Sequence, residues 1–409
     1  MKILIVCPYL PFPENFGGAI RTFNLLKRLS CNHEIDLIVI SNIFALDEYI
    51  DEIKKYCKNV FIVSLNEKPK IIKLLDLLKR ILRREPFLNK FVDSNEFEKL
   101  IYKVTGDKSY DLLQFEHSHT ARNLKYIHPK QKAKTVLMMH NVTAIQFYRM
   151  FKSEKNMSKK IKLFLTWFPM LSWEPKIASE FDKTIVTSKV DKILLQILKP
   201  GLDTAVVPNG IDINLYRSYQ MKRQKEKNIL FVGSMDYEPN ADAVLYFYCE
   251  IYPAIIKKIP ECTLTIVGKN PPNDILSLII DPKVKVYANV KEVNSYYEKA
   301  SLSVVPLQSG GGTRLKILES MSFGVPIVST SIGCEGLEIK NGYNILIGNT
   351  ASDFSNKVLE ILMSPNLAKK LSINARKLIE EKYNWDRITG SLENMYEKLI
   401  KVDDLKSDL

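Results

Sequence analysis

Eleven short runs of β-branched and aliphatic residues, separated by longer amphipathic stretches, set the tightest limit on what this chain can fold into. In the first half they are Lys2–Cys7, Glu34–Ile40, Val60–Ser64, Asp111–Glu116, Thr135–His140 and Thr184–Ser188. In the second half they are Asn228–Val232, Thr263–Gly268, Val284–Tyr287, Leu302–Pro306 and Pro326–Thr330. Several are continuously apolar, as parallel strands buried on both faces must be. Helical patterns at 18–30, 240–258 and 351–363 lie between them. Such βαβα alternation predicts an α/β protein with doubly wound, Rossmann-like sheets. At 409 residues the chain exceeds one compact core and suits two domains of about 200 residues each. The turn-forming Val207-Pro208-Asn209-Gly210 marks the seam. The expected division is 1–206, 207–384 and a C-terminal helix with a polar tail over 385–409. Two such domains facing each other would line one cleft with their strand ends, where ligands of doubly wound sheets bind.

Charge separates the halves. Residues 1–200 carry 34 Lys+Arg against 21 Asp+Glu, whereas 201–409 carry 25 of each, so the whole net charge of +13 sits in the first half. The two halves are therefore expected to meet different partners. Six scattered cysteines, with no CxxC and no His-paired spacing, point to a reducing cytosol and to no metal site. The opening MKILIVCPYLP reads as a first strand rather than a signal peptide, and no apolar run reaches the length of a membrane span.

The strongest local signal is Pro306-Leu307-Gln308-Ser309-Gly310-Gly311-Gly312-Thr313-Arg314-Leu315-Lys316-Ile317-Leu318-Glu319. A strand ends, three glycines follow, and a helix begins that stops at Gly324-Val325-Pro326. Gly311, Gly312 and Thr313 would let the backbone approach a ligand, and a helix N-terminus offers unpaired N–H groups to an anion. Arg314 and Lys316 are expected in the first turn, where cations oppose the macrodipole unless they hold an anion. Glu319, about 9 Å along the helix, suits ribose hydroxyls while a diphosphate sits at the helix start. The alternative is a glycine-rich loop before a solvated basic helix. A second turn, Gly17-Gly18, follows the first strand and opens another helix, either as a second anion contact or as a tight strand–helix turn.

The combination of Gly17-Gly18, Val207-Pro208-Asn209-Gly210-Ile211-Asp212, Leu230-Phe231-Val232-Gly233 and Leu318-Glu319 before Gly324-Val325-Pro326-Ile327-Val328 resembles the GT-B-fold retaining glycosyltransferases of group 1, family 4 type. That resemblance implies an N-terminal acceptor domain, a C-terminal nucleotide-sugar domain, a final helix, Trp385–Ile400, crossing back onto the first domain, and no required metal or cofactor. Glu319 matches the second glutamate of the family's pair; the first would fall at Gly311 and is missing. The family's arginine and lysine after the first donor-domain strand would fall at Ser234 and at Pro239 or Asn240. Both cations are absent, and Arg314 and Lys316 are expected to replace them. Gly233, Ser234 and Val290 complete the expected donor contacts, Val290 beside the base. The family's N-domain histidine position reads Gln114-Phe115-Glu116 here, leaving Glu116, His117 and His119 as alternatives, with His140 a further one.

The chemistry calls for these residue types. Sugar transfer passes through an oxocarbenium-like state while the nucleotide diphosphate leaves with growing negative charge. Preorganised N–H groups and cations would balance that charge, and a carboxylate or imidazole near the anomeric carbon would stabilise positive charge or take the acceptor's proton. The alternative for Glu116 is a surface carboxylate, and for His140 a satisfied core histidine. Residues 68–90 carry eight Lys+Arg against two acids, and Lys152–Lys176 mixes lysines with aromatics. Basic amphipathic segments of this kind bind anionic membranes, unless they are core-facing helices with a solvated face. The expectation is a glycosyltransferase in cell-surface polysaccharide or glycoconjugate synthesis, cytoplasmic and peripheral on the inner face of the membrane, with a glycan or lipid-linked acceptor. No RNP-like pattern accompanies the charge, so no nucleic-acid partner is expected. The rivals are an epimerase or phosphorylase acting on the same fold and a scaffold without catalysis.

Overall fold

The computed structural model describes residues 1–41, 47–64, 95–154, 156–213, 226–310 and 314–407. The basic stretch 68–90 and Gly311, Gly312 and Thr313 lie outside the described residues. The chain divides into two compact units, Met1–Pro208 with Asp386–Leu409, and Asn209–Trp385.

Among the described residues of the first unit, seven parallel strands form one sheet. They are β1 (Lys2–Cys7), β2 (Glu34–Ser41), β3 (Asn59–Ser64), β4 (Leu112–Glu116), β5 (Lys134–Met139), β6 (Lys183–Val186) and β7 (Thr204–Val206). Their order is β3-β2-β1-β4-β5-β6-β7. Helices α1 (Gly17–Leu29), α2 (Asp47–Lys54), α3 (Asn95–Asp107), α4 (Thr143–Ser153), α5 (Met157–Ala178) and α6 (Lys189–Leu198) connect them. Ile3 to Cys7 are all buried, because helices cover both faces of the central strand. The sixth strand ends before its predicted Ser188. That residue turns instead to cap α6, its hydroxyl accepting the Asp191 N–H at 3.0 Å.

The second unit repeats the plan with β8 (Asn228–Ser234), β9 (Thr263–Lys269), β10 (Val284–Ala288), β11 (Leu302–Val305), β12 (Ile327–Ser329) and β13 (Leu346–Ile347), ordered β10-β9-β8-β11-β12-β13. Helices α7 (Glu238–Tyr246), α8 (Tyr252–Lys258), α9 (Asn294–Lys299), α10 (Leu315–Ser322), α11 (Ala351–Met363) and α12 (Pro365–Lys382) pack on it. The single helix expected over 240–258 is interrupted by a π turn at Phe247–Ile251. Pro253 lacks the N–H that would continue an α ladder there.

The last helix, α13 (Trp385–Ser407), belongs to the first unit from Asp386 onward. Arg28 Nε donates to Asp386 Oδ1 at 2.6 Å and Asn32 Nδ2 to Glu393 Oε1 at 3.1 Å. Inside the core, the Tyr396 hydroxyl donates to Gln114 Oε1 at 2.6 Å. Among the described residues no helix is long and apolar enough to cross a membrane.

Candidate functional site

Both sheets reverse strand order at their centre, between β1 and β4 in the first unit and between β8 and β11 in the second. Loops leaving neighbouring strands at such a point diverge to opposite faces and open a crevice at the carboxyl ends.

At the switch of the second unit, β8 ends in Gly233 and Ser234, and the loop after β11 leads through Gly310 to α10. Arg314 is the N-cap of α10 rather than part of its first turn, and only Lys316 lies inside that turn. Lys316 bends back toward β8, where its Nζ donates to Asn240 Oδ1 at 2.8 Å. The same ammonium sits 4.5 Å from the centre of the Phe231 ring. Gly233 makes room for it, since a Cβ there would stand 2.6 Å from Nζ. Desolvation, with Arg314 second, pushes Lys316 down to about 7, while Glu319 pulls it up.

Asn240 is itself held, its Nδ2 donating to the Ser234 carbonyl at 2.7 Å. Gly310 has φ of 105°, and a Cβ there would lie 2.6 Å from the Tyr237 hydroxyl and 3.0 Å from Arg314 Nη2. One turn beyond Lys316, Glu319 Oε2 accepts the Tyr297 hydroxyl at 3.0 Å. Burial raises this carboxyl, opposed by that hydrogen bond and by Lys316. Val290 packs beside Tyr297 in a small apolar cluster with Phe323 and Val325. Gly324, at φ 67°, ends α10 where a left-handed residue lets the N–H of Val325 return to the Ser320 carbonyl at 2.9 Å. The structure thus gathers Gly233, Ser234, Lys316 and Arg314 around the switch, with Glu319 and Val290 flanking Tyr297.

The first unit fills its switch with its own side chains. Glu116, the last residue of β4, is fully buried, so the surface-carboxylate reading is wrong. His140, one residue past β5, places Nε2 at 2.6 Å from Glu116 Oε2. Gln114 Nε2 donates to Glu116 Oε1 at 2.5 Å. Burial raises the Glu116 carboxyl and drives His140 well below its ordinary range.

His117, in the left-handed region at φ 68°, stacks on His140 with ring centres 3.9 Å apart. Its Nε2 meets the Tyr9 hydroxyl at 2.9 Å. His119 also stacks on His117, with ring centres 5.1 Å apart. Gly17 opens α1, and the close approach that Gly18 permits is made by Tyr9, whose hydroxyl would lie 2.7 Å from a Cβ there. Arg21 donates to the carbonyls of Val207 and Pro208, at 2.8 Å each. Tyr9, Arg21 and Tyr396 were invisible as site residues in the sequence, since their partners lie 108, 187 and 282 residues away. Tyr297 reads there as an ordinary helix position.

Residues 226–364, about a third of the chain, match the family described as Glycosyl transferases group 1. An uncharacterized 44.6 kDa protein in the cps region of Klebsiella pneumoniae is 26% identical over 96% of this chain and 98% of its own length. An uncharacterized glycosyltransferase of Haemophilus influenzae is 27% identical over 51% of this chain and 59% of its own. Among solved structures, sucrose-phosphate synthase of Thermosynechococcus elongatus superimposes with a TM-score of 0.70 at 17% identity, covering 98% of this chain and 100% of that one. The Anabaena protein HepE in complex with UDP and glucose gives 0.64 at 13% identity, covering 97% and 99%. Residues 226–364 of the second unit are thus similar to the group 1 glycosyltransferases, and the chain is an enzyme of the glycosyltransferase class with the GT-B fold.

Proposed function

We propose that the protein transfers a sugar, with retention and without a metal or other cofactor, from a nucleotide-sugar to a glycan or lipid-linked acceptor in cell-surface polysaccharide synthesis. The second unit takes the donor and the first unit the acceptor. One observation carries the reading: the Lys316 ammonium stands against Asn240, in the first turn of α7 and bonded to the end of β8, near where the family resemblance expects a lysine after β8. The cation arrives from α10 instead, so charge is kept while the chain position changes.

In this mechanism Lys316 and Arg314 balance the charge that grows on the departing diphosphate. Tyr297 fixes Glu319 by one carboxylate oxygen, and Oε1 is assigned to the ribose hydroxyls. Ser234 lies beside the diphosphate and Val290 beside the base. The Glu116–His140 pair receives the proton of the acceptor hydroxyl. The likeness to a protein of a cps region supports a polysaccharide acceptor, and the basic first 200 residues support one borne by the inner face of a membrane.

HepE holds UDP and glucose, so UDP-glucose is the first donor to try, followed by GDP-, dTDP- and ADP-sugars. One of them is expected to raise the melting temperature and to be consumed only with acceptor present. Glu319→Ala is expected to weaken that donor by about 10–100-fold, some 1.5–3 kcal/mol for a hydrogen bond to a charged group. No thermal shift with any nucleotide-sugar, or an unchanged Kd in Glu319→Ala, removes the assignment.

A further inference from the structure

Helix α5 is built inside out over its first half. Downstream, Met170, Glu174, Ile177 and Ala178 face the core, and Glu174 accepts the N–H groups of Thr143 and Ala144 at 3.1 and 2.9 Å, anchoring the start of α4. Upstream, the most apolar residues point outward. Met157, Ile161, Phe164, Leu165 and Phe168 are 70, 56, 40, 51 and 61% exposed. Their spacing of four, three, one and three residues puts them on one helix face over about 16 Å. Phe164 stacks on Phe168, and Trp167 stacks on Phe151 of α4, so the α4–α5 hairpin carries a continuous aromatic surface. Solvent-facing patches of this kind mark interaction sites.

Charge identifies the partner. Residues 143–168 hold six Lys+Arg and one acid, Glu154. Lys159 and Lys162 are exposed beside the stripe, and Lys160 lies over the Phe151 ring at 5.4 Å. An apolar stripe bordered by cations, on a helix lying along a surface, is the design that sinks into the headgroup boundary of an anionic bilayer. A second protein copy would bring the same cations against themselves.

We infer that the first half of α5 inserts its Met157–Phe168 face into an anionic lipid surface, holding the enzyme where a lipid-linked acceptor lies. This deepens the acceptor half of the proposed function and rests on it. Co-sedimentation of the full chain with vesicles of phosphatidylcholine containing about one-third phosphatidylglycerol tests it. Wild type is expected to bind these at least about tenfold better than pure phosphatidylcholine vesicles, and Phe164→Ser with Phe168→Ser to lose at least about tenfold. Trp167 emission should shift to the blue on vesicle addition and should be quenched by brominated lipid.

Three results overturn the inference. Wild type does not bind the vesicles; the double variant binds as wild type does, which transfers the contact to another segment such as 68–90; or the variant only dissolves a dimer seen by light scattering. The donor-induced melting shift separates the two readings. Its persistence in the double variant shows the variant is folded, and its absence in wild type sinks the transferase reading without touching vesicle binding.

Discussion

The two switch points share one topology and have opposite contents. At β1 and β4 the crevice is packed with Tyr9, His117, His140, Glu116 and Arg21, and the room a glycine leaves is taken by a tyrosine hydroxyl. At β8 and β11 the room left by Gly233 is taken by the Lys316 ammonium, and that left by Gly310 by Tyr237 and Arg314. A buried carboxylate–imidazole contact suits proton handling, whereas a desolvated cation suits an incoming anion. Identical strand order therefore sets where chemistry happens, and the side chains that fill the glycine gaps set which chemistry it is.

That contrast breaks most visibly at Lys316. Lys316→Met is expected to lower kcat by about 10²–10³-fold, the scale of losing one charge-stabilising donor. The unliganded protein should unfold no earlier, because an enclosed cation has been removed. Steady-state kinetics and thermal unfolding check both parts; a clear drop in melting temperature would make Lys316 a structural residue. Arg314→Ala is expected to slow turnover by at least about tenfold, some 1.4 kcal/mol, with folding retained.

The pH dependence sharpens the comparison. With Lys316 near 7 when unliganded and the anion favouring its protonated form, donor affinity should fall about fivefold from pH 7 to pH 8. Stability runs the other way. The unfolded lysine titrates near 10.5, so the penalty for enclosing the ammonium is complete below about pH 7 and fades as pH rises toward 10.5. Calorimetry between pH 6 and 9 reads the affinity, and a flat profile would contradict the assignment. The smallest effect belongs to the packed crevice. Tyr396→Phe removes the hydrogen bond to Gln114 and should cost about 1 kcal/mol, or about 2–4 °C in melting temperature, leaving donor binding unchanged.

Much of this was legible in the chain. Lys2–Cys7 and Ala351–Met363 coincide with their predicted bounds because periodicity and flanking turns agree there. The strands Thr204–Val206 and Leu346–Ile347 escaped, since three or two residues carry no period to detect. Lys316 was visible as a candidate but not its destination. Nothing in Thr313-Arg314-Leu315-Lys316 announces that one cation will bend toward Asn240, 76 residues earlier. The Glu116–His140 pair was available only as separate possibilities, because a register between β4 and β5 is needed to bring their ends together. Local pattern finds elements, and pairing across a sheet finds partners.

The anchoring of Tyr396 on Gln114 has a consequence for synthesis. The ribosome makes the seven strands of the first unit early, yet their buried glutamine waits for a hydroxyl translated 282 residues later. The second unit can close while the first still lacks its final strut. Maturation of the enzyme is therefore gated by its distal segment, and nascent chains arrested before Asp386 should expose an incomplete first core to chaperones and proteases.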